Sequence, residues 1–248
     1  SWYFRSLLPF IYTQETALTL REKSTPGRDC GNLGASFLAF EPIRMSEIEM
    51  DKTAVIFVGY QNDYFADDGI LRAVIEESDR TNRILENSIA VAEGLRDTPA
   101  TMIQTPIVFT ENYSELVNPV GILKTISEVK AFQAGTPGGD IIAEFKEFGD
   151  RIITVEGKRG LNAFASTELN DTLKDRGIEE VVLSGAVTSI CIDSTGRAAH
   201  ERGYRVSVLS DCTASRTPYE QEFYCENVFP LYAEVLTSGE LLSRSPGE

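Results

Sequence analysis

Of the four cysteines in this chain, Cys191 lies where a thiol can become a nucleophile. It falls in VVLSGAVTSICIDSTGRAAH, residues 181–200, which opens on the β-branched run Val181-Val182-Leu183 and crosses Ser184-Gly185-Ala186. From about Ser189 the spacing turns helical, with Ile190, Ser194, Arg197 and Ala198 at helix-like intervals. Cys191 is therefore expected in the first turn of a helix that follows a buried strand. Unpaired backbone N–H groups and the positive end of the helix dipole favour a thiolate there. The same N–H groups could receive the charge that develops on a carbonyl oxygen under attack. A free cysteine is as readily a small buried hydrophobe, and this stretch alone supports both readings.

A second group bears on that choice. Lys158 heads Lys158-Arg159-Gly160-Leu161-Asn162-Ala163-Phe164, a small-residue loop rather than a charged helix face. A lysine beside a cysteine stabilises the thiolate and lowers its pKa. Most lysines are solvated surface charges, so its partnership depends on the elements that carry it.

Those elements alternate. Continuous apolar runs at 54–58, 107–109, 151–155, 181–183 and 205–209, with a short run at 233–235, read as strands buried on both faces. Helical patterns lie between them, from Ser78 or Asp79 to Arg96, from Asp140 to Phe148, from Ser166 or Thr167 to a stop at Gly177, after Cys191, and near 239–243. This is the spacing of right-handed βαβ crossovers. It predicts an α/β fold, an open and mostly parallel sheet of about six strands with helices on both faces. Sites in such sheets form at the carboxyl ends of strands. Residues 59–63, Glu111, Lys158 and Cys191 all fall there, with Cys191 and Lys158 expected on adjacent loops. That convergence favours the nucleophile. The long 112–139 connection, rich in Pro and Gly, is expected to shape a binding mouth.

Composition narrows the function classes. The formal charge is 23 − 38 = −15, which repels phosphate backbones and argues against a nucleic-acid partner. No apolar run approaches the ~18 residues of a bilayer span, so no membrane role is expected. Four scattered cysteines fit a reducing cytoplasm better than a disulfide framework. With one histidine and no CxxC pair, neither a metal nor another cofactor is expected. No G-x-G-x-x-G follows the first strand and no Walker lysine is present, which argues against a plain nucleotide-binding protein. Residues 1–44 differ in character: the opening SWYFRSLLPFIYTQ is apolar and free of acids, and turn formers follow. They read as a targeting leader, an arm packed on a neighbouring subunit, or a poorly ordered extension to a domain spanning 45–248.

Several motifs in order resemble the isochorismatase-like cysteine hydrolases, the superfamily of nicotinamidases, N-carbamoylsarcosine amidohydrolases and isochorismatases. Gln61-Asn62-Asp63-Tyr64 resembles a QNDF motif, and Gly135-Thr136-Pro137-Gly138 the loop before the middle helix. Lys158 with Asn162-Ala163-Phe164 resembles the family lysine and its tail, and Gly185 to Ile192 the G-x-x-T-x-x-C-V block. The resemblance covers roughly residues 51–243. It implies that Cys191 attacks an amide or similar carbonyl to give a thioester that water hydrolyses, with Lys158 beside it. It further implies a cis peptide at Ala186-Val187, an oxyanion hole from the Val187 and Cys191 N–H groups, and a homodimer or homotetramer.

One departure bears directly on competence. The family's catalytic aspartate stands two residues before the Gln-Asn pair, and here that position is Gly59. Acid–base assistance is worth about 10²–10⁴-fold, so its loss should cripple ordinary amide hydrolysis. Glu111 is a candidate substitute carboxylate, although a loop glutamate is more often simply solvated. Asp63 matches a structural aspartate. A D-x-H metal motif of the nicotinamidase kind is absent. Substrate selection is expected near Tyr60, Tyr64 and the 112–139 loop. Two functions follow: a cysteine hydrolase of a small amide or related C–N bond, or a catalytically impaired relative that serves as a binding or assembly module.

Overall fold

The computed structural model describes residues 48–244, whose centre is a six-stranded, all-parallel sheet. Its strands are β1 (Thr53–Val58), β2 (Thr101–Thr105), β3 (Ile152–Thr154), β4 (Glu180–Ala186), β5 (Arg205–Ala214) and β6 (Glu234–Leu236). Their order is β3-β2-β1-β4-β5-β6. The chain winds outward from β1 to one edge, then returns to lay β4 on its other side. The direction of winding thus switches between β1 and β4, where crevices open in such sheets. Every residue of β1 and β4 is buried, which explains why Ala54 to Val58 and Val181 to Leu183 are apolar without alternation.

The helices are α1 (Asn62–Phe65), α2 (Arg72–Asn82), α3 (Ile84–Gly94), α4 (Gly121–Val129), α5 (Ala143–Lys146), α6 (Leu169–Asp175), α7 (Asp193–Glu201), α8 (Pro218–Phe223) and α9 (Ser238–Arg244). None of the described helices is long and apolar enough to cross a membrane. The expectations for residues 1–44 lie outside the described residues.

Several elements differ from their sequence expectation. The helix expected from Ser78 to Arg96 is two helices, because Arg83 takes a left-handed conformation at φ 53°. Ser78 lies buried within α2 and accepts the Ser215 N–H, while Asp79 accepts the Leu85 N–H at the start of α3. The second strand is the less apolar TMIQT, and Ile107 to Phe109 lie beyond it. The Ile107 N–H and carbonyl are both taken by the Gln61 side chain, at 2.7 and 2.8 Å, and Phe109 bridges to Gln133. The 140–148 helix shrinks to the single turn of α5.

Candidate active site

Cys191 follows the carboxyl end of β4. The Ala186–Val187 peptide is cis, and Thr188–Ile192 form a π-turn before α7 begins. The cysteine therefore lies in the π-turn that runs into the α-helix proper, two residues before Asp193, and not in the first turn of α7. Within this turn the Ile190 and Ile192 N–H groups both donate to the Val187 carbonyl, at 3.0 and 3.2 Å. Thr188 donates to Gln221 on α8 at 2.7 Å, which ties the turn to the next layer. Beneath it, Gly185 adopts φ 127°, and a Cβ there would run into the Val58 carbonyl. Glycine thus lets β1 and β4 close together where their loops diverge.

Lys158 reaches Cys191 by an indirect route. The loops after β3 and β4 are not neighbours, as had been expected, because β2 and β1 lie between those strands. At about 4.8 Å per strand, that spacing is too wide for a side chain alone to span. The chain instead turns inward after Thr154, so that Lys158 pairs with Ile107 in a parallel bridge beyond the end of β2. From there its Nζ stands 3.5 Å from Cys191 Sγ and donates to the Gly160 carbonyl at 2.5 Å. The loop is pinned onto α7, since Ala163 N–H donates to Thr195 Oγ1 at 3.0 Å and Thr167 donates back to the Ala163 carbonyl. Thr195, one turn past Cys191, carried no motif signal, yet it fixes the lysine loop to the cysteine helix.

Lys158 is fully buried and Cys191 is 4% exposed. Among the described residues, no carboxylate lies within ion-pairing distance of Lys158; the Glu115 carboxylate pairs with neighbouring Arg159 at 3.6 Å. A buried ammonium is costly unless paired. The Cys191 sulfur, 3.5 Å away, is a group that can become an anion beside it.

Gly59 has φ 77° at the end of β1. A Cβ there would lie 3.3 Å from the Ala186 carbonyl oxygen and 3.6 to 3.7 Å from the edge of the Tyr64 ring. Tyr64 is buried and packs on Phe132. Burial first, then the charges of Cys191 and Asp63, push its phenol well above the ordinary tyrosine range. Tyr60 points elsewhere, and its expected pocket role is corrected. Its hydroxyl is enclosed by Ser88, Ser184 and the Cys212 carbonyl, and its ring stacks on Phe65 and lies against Phe145. Asp63 accepts the Phe132 N–H at 2.5 Å, which fastens α1 to the loop before α5; burial raises its carboxyl. Glu111 is exposed, and its carboxylate makes no hydrogen bond or ion pair among the described residues. The nearby loop carboxylate that does engage the lysine loop is Glu115.

The other described thiols have different surroundings. Burial, with Asp211 adjacent, pushes the Cys212 thiol far up, and burial with Glu226 nearby raises Cys225 to about 12. Asp211 accepts from the Ser238 N–H and hydroxyl, capping α9. His200 is exposed at the far end of α7. Among the described residues, no three His, Cys, Asp or Glu side chains gather to hold a metal ion.

Residues 53–240 match the isochorismatase domain model. An uncharacterised isochorismatase family protein of Bacillus subtilis is 26% identical over 165 residues, 66% of this chain and 79% of that protein. Nicotinamidase 3 of Arabidopsis thaliana is 28% identical over 110 residues, 44% of this chain and 56% of that protein. The crystal structure of a cysteine hydrolase from Pseudomonas syringae pv. phaseolicola superposes with a TM-score of 0.71 at 20% identity, covering 82% of this chain and 97% of that one. At that identity the likeness speaks for the fold. The domain match, running from the first strand of the sheet into its last helix, shows that the chain belongs to the isochorismatase family of hydrolases, related to amidohydrolases such as nicotinamidase.

Proposed function

We propose that the chain hydrolyses a small amide or related C–N bond through a thioester on Cys191. The observation that carries this reading is the buried Lys158–Cys191 pair at 3.5 Å, with no described carboxylate to compete for the ammonium. Such a charge favours the thiolate, the reactive form. In the proposed cycle the sulfur attacks the carbonyl carbon, and the Val187 and Cys191 N–H groups receive the charge on oxygen. The C–N bond then breaks, and water displaces sulfur from the acyl group. No metal takes part. The protein works as a homodimer or homotetramer in the cytoplasm on a small-molecule substrate.

Gly59 favours a second reading, a binding or assembly module without turnover. A position at φ 77° suits glycine and not a side chain, so the chain has settled into a backbone that does without the aspartate. Ammonia or amine release from a panel of small amides, measured for wild type and Cys191→Ala, separates the two readings. Release that depends on Cys191 supports the hydrolase; equal, background release from both proteins supports the module.

A further inference from the structure

The proposed hydrolysis leaves one proton unassigned. An amide nitrogen cannot depart as an anion, and the residue that would usually protonate it is here a glycine. The corner is not empty, because the Tyr64 ring edge lies 3.6 to 3.7 Å from the point where a residue-59 Cβ would stand. The position that resembles a motif phenylalanine thus carries a hydroxyl in this chain. That hydroxyl has no hydrogen-bond partner among the described residues, although the side chain is only 1% exposed. Tyr60, four residues earlier, shows the contrast: its equally buried hydroxyl is saturated by two serines and a carbonyl.

Building on the cysteine-hydrolase reading, we propose that the Tyr64 hydroxyl is the general acid that protonates the leaving nitrogen and then, as phenolate, takes a proton from the hydrolytic water. The balance closes. The thiolate pair forms the C–S bond while the carbonyl π pair moves to oxygen. As that pair returns, the C–N bonding pair leaves on nitrogen and takes the Tyr64 proton. The sulfur has lost its negative charge and the phenol has gained one, so the net charge of the reacting groups is unchanged. Water then attacks the thioester, its proton returns to the phenolate, and the sulfur departs as thiolate. Phenols serve as general acids and bases in this way; burial keeps this one protonated at rest and makes its phenolate a strong base toward the water that follows. Lys158 is the rival donor. Its contacts to Gly160 and Cys191 hold the charge that the returning thiolate requires.

The test is Tyr64→Phe, which removes one atom and keeps the ring. Single-turnover acylation of Cys191 is followed with p-nitroacetanilide, whose nitrogen must be protonated, and with p-nitrophenyl acetate, whose phenolate leaves without a proton. The expected result is acylation by the anilide slowed about 100-fold or more, with a far smaller effect on the ester. Equal slowing of both, or of neither, overturns the proposal and returns the proton to Lys158 or to a positioning effect. A wild-type protein acylated by neither donor defeats the hydrolase reading itself, which keeps the two failures distinct.

Discussion

Lys158 Nζ stands 3.5 Å from Cys191 Sγ although two strands separate β3 from β4 in the sheet. The contact exists because Lys158 is drawn inward against Ile107 and because Thr195 clamps its loop to α7. Replacing Lys158 with methionine keeps the volume and removes the charge. A neighbouring ammonium favours the thiolate, the reactive form. Alkylation of Cys191 by iodoacetamide at pH 7 is therefore expected to slow by about tenfold or more in Lys158→Met. An unchanged rate means that the lysine does not activate the thiol.

Selectivity among the thiols follows from their neighbours. Cys191 faces an ammonium, whereas Cys212 is buried and Cys225 half-buried, each beside a carboxylate, and Cys225 is raised to about 12. In a Cys30→Ser background at pH 7 to 8, peptide mapping should find the label on Cys191 well before the other two. Labelling of Cys225 at the same rate as Cys191 contradicts this electrostatic picture.

Restoring an acid at position 59 carries a structural penalty. Its φ of 77° and the 3.3 Å approach of the Ala186 carbonyl both oppose a Cβ. Left-handed backbone costs a non-glycine residue about 1–2 kcal/mol, least for Asp and Asn. Gly59→Asp and Gly59→Ala should each lose stability in urea titrations, alanine by about 1–2 kcal/mol. Equal stability of all three proteins indicates a backbone free to relax at this corner.

Glu180 gives a pH signature distant from the site. It begins β4 almost fully buried, accepts from Ser207 and lies 3.7 Å from Arg205, and burial raises its carboxyl above the ordinary value of 4.5. With the folded pKa above the unfolded one, the folded state binds more protons between them, so stability falls as pH rises through that window. Glu180→Gln removes this contribution. Its stability, from urea melts between pH 4.5 and 7, should decline less steeply than that of wild type; parallel curves contradict the assignment.

Much of this architecture was legible, and the failures have physical causes. The unbroken apolar runs of β1 and β4 announced strands buried on both faces, and the Gly59 departure was visible against the motif around it. The second strand was misplaced because TMIQT carries few apolar residues, while the more apolar Ile107 to Phe109 serve as the seat for Gln61 and Lys158. The break at Arg83 was invisible because a left-handed arginine leaves no mark in composition. Tyr60 and Tyr64 looked equivalent as residue types. Only the placement of α1 separates them, sending one hydroxyl into a serine cluster and the other ring over Gly59. The reach of Lys158 across two strands depends on tertiary pairing, which no local pattern encodes.

A competent nucleophile at Cys191 takes up the acyl group of an activated ester, which rapid mixing with p-nitrophenyl acetate and mass analysis of the peptides detect. The expected result is a burst of about one equivalent of p-nitrophenol per chain, with a single acetyl group on the Cys191 peptide and none in Cys191→Ala, the fingerprint of a covalent intermediate. No burst, or acetylation that is the same in Cys191→Ala, contradicts it.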